Sequence, residues 1–238
     1  MLVRVDDVVV PGDIVAGIAG LDDKSRIVLG PGLRRCAEQV YVCASGVLKK
    51  NNRTYYVDLH QKRYIPARGE AVVGIVTSKA GDFFKVDIGS SEQASLHYLG
   101  FEGATKKNRP NINVGDTLYA ILLGASKDME PELVCIDSTG KKGKMGVLDP
   151  NGFLFNCSLN LIRKILHPKC PLLNYLGKEV PYEIAIGMNG KVWVNTKNVK
   201  NTIAVASAIL AAEYHPYDEI IQNTDDVLNK LLLYNFII

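Results

Sequence analysis

The stretch 72–138 constrains this chain most, because it alone reads as a complete closed module. Val72-Val73-Gly74-Ile75-Val76 alternates with strand propensity, the turn-rich Ser78-Lys79-Ala80-Gly81-Asp82 follows, and 83–89 reads as the returning strand of a hairpin. Residues 94–99 predict a third strand, and 117–123 and 132–137 two more, with Val114-Gly115-Asp116 as a turn between them. Five short strands in roughly 65 residues, separated by turn signals, predict a small Greek-key barrel of the OB type.

On its N-terminal side, residues 1–64 read as a β-rich domain. Val8-Val9-Val10 is a strand stopped by Pro11-Gly12-Asp13, Gly30-Pro31-Gly32 is strong turn punctuation, and further strands are expected at 39–44, 46–49 and 54–59. Tyr64-Ile65-Pro66-Ala67-Arg68-Gly69 reads as a linker, and its shortness predicts that the two modules pack as one rigid body. After the barrel, Thr139-Gly140-Lys141-Lys142-Gly143-Lys144-Met145-Gly146 looks superficially like a phosphate loop. No Ser or Thr follows its lysines and no helix starts there, so it reads as a flexible linker with a basic edge. The remainder predicts a strand at 152–157, a helix capped by Ser158 and ended by His167-Pro168, and strands at 182–186 and 191–194 around Gly187-Met188-Asn189-Gly190. An alanine-rich helix over 199–213 and a last helix over 218–233 complete it. The fold class is therefore mixed and mainly β, in three modules: 1–64, a barrel at 65–143, and an α/β module at 144–238.

Composition narrows the function classes. The 47% hydrophobic content supplies real cores. No apolar run approaches the roughly 18 residues a membrane span needs, and no secretory leader is indicated. The five cysteines, Cys36, Cys43, Cys135, Cys157 and Cys170, lack any CxxC pair and read as reduced intracellular thiols with no zinc site. His60, His97, His167 and His215 are scattered, so no triad or general-base constellation is supported. Asp128-Met129-Glu130-Pro131-Glu132 offers closely spaced carboxylates for Mg²⁺, but Pro131 is expected to break their geometry. No cofactor, metal or catalytic residue is expected.

Charge is distributed unevenly. Residues 65–138 hold seven Lys/Arg against ten Asp/Glu, a balance of −3, whereas the whole chain is +3. A free-standing RNA binder would place positive charge on the barrel, since phosphate neutralisation supplies most non-specific affinity. Within it, the basic loop Lys106-Lys107-Asn108-Arg109 with Lys79 is the best candidate for meeting phosphate, the alternative being an ordinary solvated loop. Phe83 and Phe84 are adjacent on a strand and point to opposite faces; the outward one either stacks a base or packs against a neighbouring domain.

Taken together, the order of modules resembles the cap subunits of the eukaryotic RNA exosome, and within them the ribosomal RNA-processing protein 40 family. The likeness is carried by Gly30-Pro31-Gly32-Leu33-Arg34, Gln61-Lys62-Arg63-Tyr64-Ile65-Pro66 and Phe101-Glu102-Gly103-Ala104-Thr105-Lys106 with Asn108-Arg109-Pro110. Lys127-Asp128-Met129-Glu130-Pro131-Glu132, Cys135-Ile136-Asp137-Ser138 and Gly187-Met188-Asn189-Gly190 leading to Trp193 complete it. Residues 217–238 carry no part of it. The resemblance implies an N-terminal ring-docking domain, an S1-type barrel facing the channel mouth, and a KH-like domain. It implies a non-catalytic subunit that stabilises a ring of RNase PH-like subunits, contacts other cap subunits, and guides single-stranded RNA. Nucleus, nucleolus and cytoplasm are the implied locations, with no membrane contact. The alternative class is a stand-alone single-stranded RNA-binding factor of RNA processing or translation.

The residues add a qualification. A KH loop that clamps phosphates lies between helices, whereas strands flank Gly187-Met188-Asn189-Gly190 here. Asn189-Gly190 between strands predicts a type I′ hairpin, with Gly187, Asn189, Gly190 and a buried Trp193 in structural roles, as Gly30, Pro31 and Gly32 are in the first module. Leu231-Leu232-Leu233-Tyr234-Asn235-Phe236-Ile237-Ile238 is either partner surface or an end packed on its own domain.

Overall fold

A computed structural model describes residues 2–16, 27–126, 129–137 and 139–233. Lys127, Asp128, Ser138 and the terminal Tyr234-Asn235-Phe236-Ile237-Ile238, quoted above, lie outside the described residues. The chain divides into two compact units, 1–61 and 62–238.

Among its described residues the first unit holds eight short strands: Leu2–Val3 (β1), Val8–Val9 (β2), Ile14–Val15 (β3), Val28–Leu29 (β4), Leu33–Cys36 (β5), Gln39–Val42 (β6), Gly46–Asn51 (β7) and Thr54–Asp58 (β8). They form two four-stranded sheets, ordered β1-β3-β6-β5 and β2-β7-β8-β4, over a core of Val9, Val40, Leu48 and Val57. Gly30-Pro31-Gly32 ties the sheets together: Val57 N–H donates to the Pro31 carbonyl and Cys43 N–H to that of Gly32. Gly32 has φ +83°, and a Cβ there would lie 2.7 Å from Val57, so this crossing admits glycine only.

In the second unit the barrel is built from Ala71–Ala80 (β9), Phe83–Asp87 (β10), Ala94–His97 (β11), Thr117–Ser126 (β12) and Met129–Val134 (β13). Antiparallel pairs β9–β10, β10–β11, β12–β13 and β12–β9, with the parallel pair β11–β13, close the circle. Val72, Val76, Val86, Ile88, Leu96, Leu118 and Leu122, all at most 1% exposed, fill the interior. Pro131 lies within β13 rather than breaking it: the register passes from Glu132 opposite Gly124 to Met129 opposite Ser126, so the imino acid falls in a bulge where no ladder donor is needed. Tyr64, read from sequence as linker, is 6% exposed in the barrel core and donates its hydroxyl to Glu70 at 2.5 Å.

Nor is the glycine–lysine run a free linker. Gly146–Val147 (β14) pairs with Leu118 and Tyr119 as a sixth strand of this sheet, and the Met145 side chain is buried in the barrel core. An apolar residue inside a basic run carries the chain back onto the sheet, along the start of β12, before its pairing with β13 begins at Ile121.

Beyond it, Phe153–Asn156 (β15), Tyr182–Ile186 (β16) and Lys191–Thr196 (β17) make an antiparallel sheet ordered β15-β17-β16. Leu159–Leu166 (α1), Leu172–Glu179 (α2), Val199–Ala211 (α3) and Ile220–Leu228 (α4, continued by a π turn over Asn229–Leu233) share one core with it. Ser158 Oγ accepts from Leu161 N–H at 3.1 Å and starts α1. Small residues Ala204, Ala208 and Ala212 bring α3 close to its neighbours, and Lys164 Nζ closes its end by donating to the carbonyls of Ala212, Glu213 and His215. No helix among the described residues is long and apolar enough to cross a membrane.

Candidate nucleic-acid interface

The hairpin that opens the barrel sets the geometry. Phe83 stands opposite His97 on the neighbouring strand, and Phe84 opposite Leu96 and Lys79. The strand alternation sends Phe84 onto the barrel core, while Phe83 remains 46% exposed. The Phe83 and His97 rings meet edge to face at 4.8 Å, His97 lies 4.6 Å from Tyr98, and the Arg109 guanidinium sits 4.7 Å over the Tyr98 ring. His97 Nδ1 accepts from Leu99 N–H, which turns the chain into a short 3₁₀ segment, Tyr98–Gly100. Beside this row opens a cleft of about 390 Å³ walled by Phe83, His97, Leu99, Leu123 and Ile136. An exposed aromatic at the lip of an apolar cleft is a surface on which a base can stack, worth about 1–3 kcal/mol.

The basic residues converge on the same end of the barrel, though not in equal roles. Arg109 is held in place: its guanidinium pairs with Asp82, at the hairpin tip, at 2.8 Å and stacks on Tyr98. Lys79, Lys106 and Lys107 are exposed and have no carboxylate partner among the described residues. The loop carrying Lys106 and Lys107 is closed on itself, since Thr105 N–H donates to the Asn108 carbonyl and Asn108 N–H to Thr105 Oγ1, both at 3.0 Å.

The acidic balance of this stretch proves a poor guide to its surface. Asp82, Asp87 and Glu130 are ion-paired with Arg109, Lys191 and Lys85. Glu70, Glu102, Asp116 and Asp137 accept hydrogen bonds from Tyr64 or from backbone amides. Carboxylates so engaged hold the fold; Lys79, Lys106 and Lys107 lie at the Phe83 end, where Glu132 also lines the cleft with no ion pair among the described residues. Net charge could not reveal this, because pairing is a tertiary property.

Gly187-Met188-Asn189-Gly190 lies elsewhere and is plugged into the barrel wall. The Asn189 side chain is 8% exposed; its Nδ2 donates to the carbonyls of Val73 and Ile88, each at 2.8 Å, and its Oδ1 accepts from Val73 N–H at 3.2 Å. Met188 N–H donates to the Ala71 carbonyl, and Lys191 Nζ bonds both the carbonyl and the carboxylate of Asp87. Trp193, 4% exposed, packs on Val73 and Ala185 with Tyr119 and Leu148 beside it. Turn type departs from the sequence reading: Asn189 does not have positive φ, and only Gly190 does, at +83°. Gly190 N–H donates to the Gly187 carbonyl, so this is an unprimed turn followed by a left-handed glycine, the three-residue loop with a bulge. The tertiary pull on Asn189 explains it, since the amide reaches the barrel from this backbone conformation. The sequence signalled the turn but not the clamp, whose partners lie 101 and 116 residues away.

Burial weighs on several titratable groups. Desolvation pushes the Cys135 and Cys157 thiols up to about 12. At Asp87, desolvation raises the carboxyl pKa, but the Gly89 amide and the Lys191 ammonium outweigh it and hold it below its ordinary value. Among the described residues no group of His, Cys, Asp or Glu is arranged to hold a metal. Of the proposed Mg²⁺ carboxylates, Glu130 is paired with Lys85 and Asp128 is outside the described residues.

Comparison with known proteins agrees with the architecture. Residues 64–146 match the family described as exosome complex component RRP40, S1 domain; 152–200 match a KH domain; and 7–60 match mammalian exosome complex component RRP40, N-terminal. The chain is 49% identical over 225 residues to exosome complex component RRP40 of Drosophila melanogaster, covering 93% of this chain and 97% of that one. It is 49% identical to the Homo sapiens protein of that name, covering 82% and 73%, and 36% identical to that of Saccharomyces cerevisiae, covering 80% and 83%. A crystal structure described as an exosome complex RNA-binding protein superposes with TM-score 0.58 at 20% identity, over 71% of this chain and 99% of the other, which supports the fold. The chain belongs to the exosome complex component RRP40 family.

Proposed function

We propose that this chain is a non-catalytic cap subunit of the RNA exosome. It stabilises a ring of RNase PH-like subunits, and the Phe83 end of its barrel guides single-stranded RNA toward the channel. The observation that carries the reading is near-full-length identity of 49% to an exosome component, with matching N-terminal, S1 and KH segments in one order. The geometry supports the division of labour. The Gly187-Met188-Asn189-Gly190 loop, flanked by strands, is spent on holding the barrel through Asn189, which favours the barrel pole as the RNA-facing surface. The first unit docks on the ring, and the working locations are the nucleus, nucleolus and cytoplasm.

Reconstitution tests this. Mixed with recombinant ring and cap subunits, the chain should co-elute as a stoichiometric member of the assembly, and the purified chain alone should leave RNA intact. Failure to assemble, together with tight, steeply salt-dependent RNA binding by the isolated chain, would instead establish the stand-alone factor.

A further inference from the structure

The glycine–lysine run after the barrel is a basic motif that this reading does not use. It forms a compact turn at the same pole as the Lys106–Lys107 loop. Lys142 N–H donates to Glu102 Oε2 at 2.7 Å, and Glu102 opens the segment that leads to Lys106 and Lys107. Asp137 organises the turn from inside: its Oδ1 accepts from Thr139 N–H at 2.8 Å and Lys141 N–H at 3.0 Å, and its own N–H donates to the Lys141 carbonyl. Gly140 and Gly143, at φ +78° and +55°, supply the left-handed bends. Met145, buried in the barrel core, anchors the far end.

Two consequences follow for charge. The turn's own carboxylate occupies its backbone amides, so an incoming anion meets lysine side chains. Those of Lys141 and Lys142 are exposed, with no carboxylate partner among the described residues. The Lys142 stem is steadied against Gly146, where a Cβ would sit 3.0 Å from its Cε, and this leaves its head group at the barrel end. Counting the two joined segments, 101–109 and 137–144, six cations face two carboxylates. The ridge also borders the aromatic cleft, because Ile136, the residue before Asp137, is one of the cleft's walls.

We propose that Lys141 and Lys142 form a second pair of phosphate contacts, continuous with Lys106 and Lys107, on which single-stranded RNA lies as it leaves the Phe83 cleft. This deepens the reading of the barrel pole as an RNA-guiding surface and rests on it. Point charges on short, anchored turns beside a stacking surface suit a flexible phosphate backbone, and the described turn residues 139–144 include no aliphatic or aromatic side chain to hold a protein partner.

Salt dependence tests it. Binding of the full chain to a labelled oligouridylate of about 12 nucleotides is followed by anisotropy between about 50 and 200 mM salt. Each phosphate contact to a single strand contributes about 0.7 to the slope of log K against log salt. K141Q/K142Q should flatten that slope by about 1.4, losing about sevenfold more affinity at the low-salt end than at the high-salt end. K106Q/K107Q should act alike and K178Q/K200Q should leave the slope unchanged. An unchanged slope in K141Q/K142Q with a flattened one in K106Q/K107Q would overturn the ridge and leave the barrel reading standing. Unchanged slopes in both would overturn the two together. An unchanged slope with weakened assembly into the exosome would assign these lysines to a protein partner and overturn the proposal.

Discussion

Asn189→Ala is the sharpest perturbation that the fold offers. The substitution strands three buried backbone groups, the Val73 N–H, the Val73 carbonyl and the Ile88 carbonyl, on residues that are 0% exposed. A buried polar group left without its partner costs about 1–3 kcal/mol, so three of them, with some local relaxation, cost roughly 3–6 kcal/mol. That is a large share of the about 5–15 kcal/mol by which a domain is stable, and it should lower the melting midpoint by on the order of 10 °C. The chain has a single tryptophan, and it lies at this seam. Trp193 fluorescence therefore reports the second unit alone, which matters because a chain of two units need not melt in one transition. A Trp193 midpoint unchanged by Asn189→Ala, with RNA affinity lost, would refute the clamp and return the loop to an RNA-gripping role.

Three further outcomes are expected. Gly152→Ala would place a Cβ 2.1 Å from Trp193 Nε1, so the ring must move; destabilisation of at least about 1–3 kcal/mol and a red-shifted emission should appear, and wild-type emission would contradict the packing. Because the Asp87 pKa is lowered on folding, its contribution is present above the unfolded value, about 3.9, and is lost as pH falls through the folded one. The stability difference between wild type and Asp87→Asn, followed by Trp193 fluorescence in urea, should therefore be constant near neutrality and shrink on acidification below about pH 4. In mild alkylation at neutral pH, the exposed Cys36 and Cys43 should react first, the half-buried Cys157 more slowly, and the buried Cys135 only on unfolding, burial pushing both of the latter thiols up to about 12.

How far the sequence carried these conclusions differs by element. The barrel's first hairpin was legible because alternation, a glycine turn and β-branched residues all agree there. Closure itself is expected from five short strands with turns between them, but the register that closes the barrel, Ser95 and Leu96 parallel to Glu132 and Leu133, is a pairing across 37 residues that leaves no local trace. Helix α2 went unread: it follows Cys170-Pro171, which looks like loop, and proline is tolerated there because the first turn of a helix needs no donor from it. The apolar spacing predicts the last helix from 218, but it begins at Ile220, and the alanine-rich one ends at Ala211. At the pole, the sequence named Lys79, Phe83, Lys106, Lys107 and Arg109, but burial had to separate Phe83 from Phe84, and geometry had to show Arg109 engaged with Asp82 and Tyr98. The Lys141–Lys142 turn was read as linker because its anchor, one buried methionine, looks like any other apolar residue in a basic run.

The most direct test of the central claim is photocrosslinking of a 4-thiouridine-substituted single strand to an exosome reconstituted with this chain, followed by peptide mapping. The expected crosslinks fall at the barrel pole, around Lys79, Phe83, Lys106 and Lys107, with none in Gly187-Met188-Asn189-Gly190. Crosslinks concentrated at Met188 and Asn189, with the pole unlabelled, would contradict it.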